Sequence, residues 1–431
     1  MTSNLAIFGG AQVRTEPFPR WPMLGDEELA AAERVIRRHN LCSALGEEVG
    51  LFEQEFAAYC GVRFAVGVSN GTTALHTAIA AAGVQVGDEV IVPPYTYYST
   101  GTSVLMQSAI PVFADVEPET QSLDPHAVEA KITPRTKAVI VVHMNGYMGD
   151  IDGLLAVARK HNLVVIEDCS HAHGAEYHGT KAGAVGHVAA FSFQQKKILS
   201  LGEGGGVTTN DPELAGRARG HSHLGKVPLA FNYRMPELHG AIGRVRLRHV
   251  DAQNDERARN AAVLDRELTP VRGLQPQRSR PATKTVYYNY VLRVDERELG
   301  VSRNQIMDAV RAEGIPATVM QNGYYPIYRH HTFQIRDPYG HGHPFTSNFY
   351  TARPDEQPSY AEGICPISER LCDHENVELK VHPPSTPSDM ADIAAAFKKV
   401  VEHVDELRER RNGETRQPRV PEAARAAASA P

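Results

Sequence analysis

The chain has 431 residues, of which 42% are hydrophobic and 22% charged, and a formal net charge of −6. That length holds more than one substantial core, and the composition is ordinary for a globular protein. A mildly acidic balance leaves no electrostatic footprint for nucleic acid or for an anionic membrane surface.

The five cysteines (Cys42, Cys60, Cys169, Cys365 and Cys372) are scattered and form no CxxC pair. This argues against a zinc site or a disulfide framework and fits a reducing, cytoplasmic setting. Residues 1–10 lack a basic stretch and reach glycine before any sustained apolar run, so no signal peptide is expected. No later stretch approaches the roughly 18–20 apolar residues of a membrane-spanning helix.

In chain order, residues 1–24 read as an extended arm, with Trp21 as its anchor in the core. A helix follows from Gly25, its acidic first turn suited to the helix dipole. A second helix spans 46–59, with Val49, Phe52 and Phe56 on one face. From there strands are expected at 63–68, 89–92, 110–115, 137–142, 163–167, 188–193 and 206–209. Helical patterns lie between several of them, at 73–82, 125–132, 151–161 and 212–219. Near-continuous apolar strands alternating with helices predict an α/β fold. The large domain, residues 25–250, is expected to carry a mostly parallel central sheet flanked by helices.

A long helical segment over 236–268 leads out of that domain. Residues 251–411 are expected to form a smaller α+β C-terminal domain. It comprises a strand at 286–294, a helix at 303–313, a short strand at 317–321 and an amphipathic helix at 387–410. Residues 323–385, rich in Tyr, His, Pro and Gly, read as a long irregular segment. Residues 412–431 lack periodicity and are expected to be disordered.

In sheets of this kind ligands bind beyond the C-terminal strand ends. After strand 63–68 comes Ser69-Asn-Gly-Thr-Thr73. Gly71 permits close backbone approach, and Thr72 and Thr73 open a helix. Together they make either a phosphate cradle or an ordinary cap. After strand 89–92, Tyr97 offers an aromatic shelf or core packing. Strand 163–167 runs into Asp168, which suits a cap, a metal ligand or a partner for a ring nitrogen. Asp168 with His171 and His173 is a weak metal signal, and no metal is expected. Strand 188–193 carries Ser192 and is followed by Lys196 and Lys197, either of which could be a desolvated, nucleophilic amine. The Gly202-Glu-Gly-Gly-Gly206 run lacks the GxGxxG spacing and precedes a strand, so it is not a dinucleotide fingerprint. Asn232 and Arg234, before the 236–268 segment, could reach an anion or satisfy backbone groups. A phosphate cradle, an aromatic shelf, a carboxylate, a lysine and a second hydroxyl at strand ends of one sheet match pyridoxal 5′-phosphate.

The ordered motifs Phe-Gly-Gly near residue 9, Ser-Asn-Gly-Thr-Thr-Ala-Leu, Gly-Asp-Glu-Val-Ile-Val-Pro and Ile-Glu-Asp-Cys-Ser-His-Ala-His-Gly continue with two more. These are Phe-Ser-Phe-x-x-x-Lys-x-x-x-x-Gly-Glu-Gly-Gly and Asn-Tyr-Arg-Met-x-Glu-Leu. Over most of residues 5–400 the chain resembles the DegT/DnrJ/StrS family of sugar and cyclitol aminotransferases, of the aspartate aminotransferase fold type. The resemblance implies that Lys197, five residues after the serine, is the lysine of the internal aldimine. It implies that Asp168 pairs with the pyridinium nitrogen and that Tyr97 stacks on the ring. Gly71, Thr72, Thr73 and Ser192 would hold the phosphate, and Asn232 would reach it from the other subunit of a homodimer. His171 stands at a ring-contact position where many relatives carry glutamine. Arg234 could contact a donor carboxylate. The implied reaction carries an amino group from glutamine or glutamate to a keto-cyclitol or keto-sugar in antibiotic-type biosynthesis. Two alternatives stay open, an aminohydroxybenzoate-synthase-like dehydratase or aromatase and a non-catalytic cofactor-binding regulator. A dehydratase branch with histidine in place of the lysine is disfavoured by Lys197.

Overall fold

β-Branched runs such as Val90-Ile-Val92 and Val139-Ile-Val-Val142 suit strands that are covered on both faces, where every side chain must pack. A computed structural model of the chain describes residues 3–223 and 229–413. Its strands are β1 (Phe64–Val68), β2 (Glu89–Val92), β3 (Ile110–Phe113), β4 (Thr136–Val142), β5 (Val164–Asp168), β6 (Glu176–Tyr177) and β7 (Thr180–Lys181). They continue as β8 (Val188–Ser192), β9 (Gly205–Thr209), β10 (Leu274–Pro276), β11 (Thr283–Lys284), β12 (Tyr290–Val294), β13 (Met320–Asn322) and β14 (Asn376–Leu379).

The large sheet has the order β1-β9-β8-β5-β4-β2-β3. Strands β2, β3, β4, β5 and β8 pair in parallel, and β9 runs antiparallel to β8 and β1. This is the expected α/β architecture, with helices such as Gly71–Ala81 and Ile151–His161 between successive strands. The four-stranded sheet β10-β12-β14-β13 is antiparallel throughout and has its own core around Leu264, Leu292, Ile306 and Phe397. A ribbon of β11, β6 and β7 completes the strands.

Four expectations are corrected in detail. The segment 236–268 is two helices, Glu237–Leu247 and Val250–Leu268. At the junction the amides of Arg248 and His249 bond carbonyls three residues back, at 3.2 and 3.1 Å, so the last turn tightens and the first helix ends before the second begins at Val250. The strand expected at 286–294 begins only at Tyr290, because the Val286 amide bonds the Gly146 carbonyl instead. The stretch 323–385 is not irregular throughout. It contains the helix Pro366–Arg370 and β14, a strand whose apolar pattern is broken by the fully buried Glu378. The C-terminal helix is Pro387–Glu402, capped by Thr386, followed by a separate helix Val404–Gly413. Of the tail expected to be disordered, residues 414–431 lie outside the described residues.

Side chains from 327–372, including Ile327, Tyr328, Phe333, Tyr360 and Leu371, pack into the core of the large sheet rather than that of the small one. Among the described residues, no helix is long and apolar enough to cross a membrane.

Candidate active site

Ser192 ends β8 between two phenylalanines, and alternation along a strand sends it to the face opposite theirs. Phe191 and Phe193 are buried and meet Phe56 edge-on, at ring separations of 4.9 and 5.3 Å. Each such aromatic pair contributes roughly 0.5–1.5 kcal/mol beyond simple burial. The opposite face is thereby left to the serine hydroxyl.

Next to Ser192 lies the start of the helix Gly71–Ala81. A Cβ on Gly71 would stand 2.6 Å from the Ser192 Cβ, so only glycine lets these two segments meet. Asn70 caps the helix, accepting the Thr73 amide at 2.9 Å, while Thr73 Oγ1 accepts the Asn70 amide at 3.1 Å and donates to the Asn70 carbonyl at 2.8 Å. The hydroxyl and amide of Thr73 are therefore committed to the cap. Gly71 and Thr72 are different, since first-turn amides have no acceptor within their own helix. The Thr72 hydroxyl meets Ser99 Oγ at 2.8 Å. Amides, hydroxyls and the positive helix end make an anion cradle.

The glycine run explains how β9 reaches this point. Gly202 and Gly204 adopt left-handed φ values of 86° and 145°. Gly205 pairs with both Val68 and Ser192, and a Cβ there would come within 2.2 Å of the Asn70 carbonyl oxygen.

Asp168 closes β5 and is buried. Its Oδ2 accepts from Thr100 Oγ1 at 3.0 Å and its Oδ1 from the Ser170 amide at 3.1 Å. A carboxylate has about four acceptor positions, so both oxygens can take a further donor. Lys197 is half-buried, whereas Lys196 is exposed. Burial lowers the Lys197 amine to about 8, against the raising effect of Asp168 and with help from Lys380 and Lys196. Its Nζ stands 5.0 Å from the centre of the Tyr288 ring.

His171 stacks on that same ring at 3.9 Å, and its Nδ1 accepts the Asn145 amide at 3.2 Å. Burial, with Lys197 and Lys380 nearby, holds it well below the usual histidine range. The neutral ring then carries its proton on Nε2. Tyr97 is half-exposed beside Tyr98, and burial with the Tyr98 hydroxyl pushes it up to about 12.

Gly71, Thr72, Thr73, Tyr97, Asp168, His171, Ser192 and Lys197 all line one cavity of about 560 Å³. Asn232 and Arg234 are not among its lining residues. Asn232 is exposed with φ 55°, and Arg234 pairs through its backbone with Val68 at the end of β1. Residues not anticipated also line the cavity, among them Ser99, Thr100, Tyr288 and Tyr324. Ser99 and Thr100 directly follow the Pro93–Tyr98 run beyond β2, so position after a strand could have found them. Tyr288 and Tyr324 come from beside the small sheet, and no local pattern marks them.

Among the described residues one group, His143, Glu167 and Cys169, has metal-type donors close together. Glu167 already accepts from His143 Nε2 at 3.0 Å and from the amides of Gly183, Val185 and Gly186 at 2.7–3.1 Å. His143 Nδ1 accepts the Gly149 amide at 3.2 Å. These bonds tie the loop before β8 to the back of β5.

The model of the DegT/DnrJ/EryC1/StrS aminotransferase family matches residues 22–398. An L-glutamine:2-deoxy-scyllo-inosose aminotransferase of Streptoalloteichus tenebrarius is 37% identical over 435 residues, covering 95% of this chain and 100% of that protein. The crystal structure of an aminotransferase from Psychrobacter cryohalolentis superposes with a TM-score of 0.79 at 29% identity, over 90% of this chain and 100% of the other. A 3-amino-5-hydroxybenzoic acid synthase structure gives 0.76 at 28% identity, over 90% and 99%. The chain belongs to the DegT/DnrJ/EryC1/StrS aminotransferase family and is a pyridoxal phosphate-dependent aminotransferase.

Proposed function

We propose that this enzyme transfers an amino group from glutamine or glutamate to a keto-cyclitol or a related keto-sugar, in aminoglycoside-like biosynthesis, with Lys197 as its reactive amine. The observation that carries this reading is one cavity lined by a partly neutralised amine, a buried carboxylate and an anion cradle. The donor set fits the cofactor. Gly71, Thr72 and Ser192 would hold its phosphate, with Thr73 fixing the helix start that carries them. Asp168 would accept a hydrogen bond from its ring nitrogen and keep that nitrogen protonated. Tyr97 and His171 would flank the ring.

When bound, the cofactor supplies a carbonyl carbon to carry the amino group and a ring that stores the electron pair. Lys197 would first hold it covalently. Once displaced, the Lys197 amine would take the proton from the donor's α-carbon and deliver it to the former carbonyl carbon the cofactor supplies, water then releasing the donor as its keto acid. A keto acceptor then runs the same steps in reverse. The aminohydroxybenzoate-type alternative has less support, at 28% identity against 37% for the glutamine-dependent relative.

Borohydride reduction of the yellow protein should fix the cofactor on the peptide containing Lys197, read by mass spectrometry. An adduct on Lys196 would overturn the assignment.

A homodimer with shared sites belongs to the same proposal. Support comes from the exposed Leu24, Leu29, Ile36, Leu41 and Leu45 around the N-terminal helix, a concentration of apolar side chains suited to a subunit contact. Asn232, outside its own cavity, would reach the partner's phosphate. Arg234 would then be placed near a donor carboxylate. Asn232→Ala should leave the dimer intact but release cofactor faster on dialysis, and a fully active monomer in sedimentation would contradict the shared site. We also assign residues 25–250 to a cofactor-binding domain and 251–411 to a smaller one, with 327–372 docked on the former. A cytoplasmic location fits the five free cysteines.

A further inference from the structure

We propose that Lys380, which immediately follows β14, is a positioning residue for the reaction: its ammonium, held at the same tyrosine ring as the Lys197 amine, disfavours the charged form of Lys197 and so makes the proton-accepting amine available. The inference rests on Lys197 being the reactive amine. It adds a residue from beside the other sheet, at the end of a strand whose apolar pattern Glu378 interrupts.

The geometry is specific. Lys380 Nζ stands 4.5 Å from the Tyr288 ring centre and Lys197 Nζ 5.0 Å from it. Lys380 is fastened there by donating to Asn289 Oδ1. Asn289 is itself fully buried, and its Nδ2 donates to Glu378 Oε2 at 2.8 Å and to Asn145 Oδ1 at 2.7 Å. Glu378 also accepts from Tyr95 at 2.9 Å, Asn145 Nδ2 at 3.1 Å and Gln321 Nε2 at 3.0 Å. A buried carboxylate with this many donors is a fixed point. It ties Tyr95 and Asn145, which follow strands of the large sheet, to the small sheet. Asn145 is the same residue whose amide orients His171.

The charged groups facing Lys197 are Asp168 on β5, Lys196 beside it, and Glu378 and Lys380 from the small sheet. Those facing Lys380 are Glu378, Lys196 and Lys197 itself, with His171 and His382, both held well below the usual histidine range, beside it; burial brings Lys380 to about 8. Like charges lower each other's affinity for a proton, as a nearby cation does for other Schiff-base lysines. Lys380 and Glu378 therefore act on Lys197 with opposite signs.

The test uses full-length protein loaded with pyridoxamine 5′-phosphate, which leaves the Lys197 amine free. Trace acetic anhydride labelling across pH, read by mass spectrometry at the Lys197 peptide, reports its titration midpoint. Lys380→Met should raise that midpoint by roughly one pH unit, and Lys380→Arg should restore it. Glu378→Gln should move it downward. A merely structural role would not produce shifts of opposite sign. An unchanged midpoint in Lys380→Met, or shifts of the same sign in both variants, overturns the proposal. Should Lys380→Met fail to fold, Glu378→Gln decides, a downward shift supporting the proposal and none refuting it. Failure of the wild-type protein to bind pyridoxamine 5′-phosphate would refute the reading of the site instead.

Discussion

Lys197→Ala is expected to abolish transamination, lowering turnover by roughly 10⁴-fold or more, because in the proposed mechanism one amine is both covalent anchor and proton carrier. The loss should be chemical rather than structural. Lys197 is only half-buried, and burial holds its amine down to about 8, so the fold gives up little by losing it. The measurement is a single-turnover assay following the 1,3-proton shift after addition of glutamine, beside a thermal unfolding curve. Near-normal unfolding with no turnover is the expected pair of results. Substantial turnover would remove Lys197 from its assigned role. Lys196→Ala is the comparison: that side chain is exposed and lines the cavity, and its loss removes only a nearby positive charge, so turnover should fall far less than in Lys197→Ala.

Asp168→Asn carries the second large effect. A carboxylate within a few Å raises a neighbouring cationic acid's pKa by about 1–3 units, so its loss should leave about 10- to 10³-fold less protonated ring and a comparable loss of rate. The amide keeps one oxygen for Thr100 or Ser170 but not both. That costs about 1 kcal/mol of stability. The same change removes the negative charge that opposes burial at Lys197. Its labelling midpoint should therefore fall below about 8. Rate and midpoint fall together only if Asp168 faces both the ring nitrogen and the lysine. An unaltered rate would contradict the pairing.

Much of the site is legible because α/β sheets gather their chemistry at strand ends. Gly71, Asp168 and Ser192 sit at or just beyond the ends of β1, β5 and β8, where the turn from strand to loop exposes a side chain or amide. The glycine run is legible as a turn for the same reason, since two left-handed residues and one close approach demand it. Strands β2, β4 and β5 follow from continuous apolar runs, which only a sheet covered on both faces buries. The strand β14 does not, because Glu378 interrupts the pattern and is tolerated only where four donors from distant segments converge on it.

The two lysines mark the boundary between the two kinds of knowledge. Residue types and spacing along the chain place an amine, a carboxylate and a glycine-opened helix start at strand ends of one sheet. The family resemblance implies that Lys197 is the reactive one. Only the tertiary structure decides that Lys196 points to solvent while Lys197 turns inward, and that Thr73 spends its hydroxyl on its own helix. The same holds for Tyr288 and Lys380, brought to the cavity wall and its rear from beside another sheet. Protonation depends on what surrounds a group in three dimensions, through desolvation and nearby charge, and residues far apart in sequence supply both.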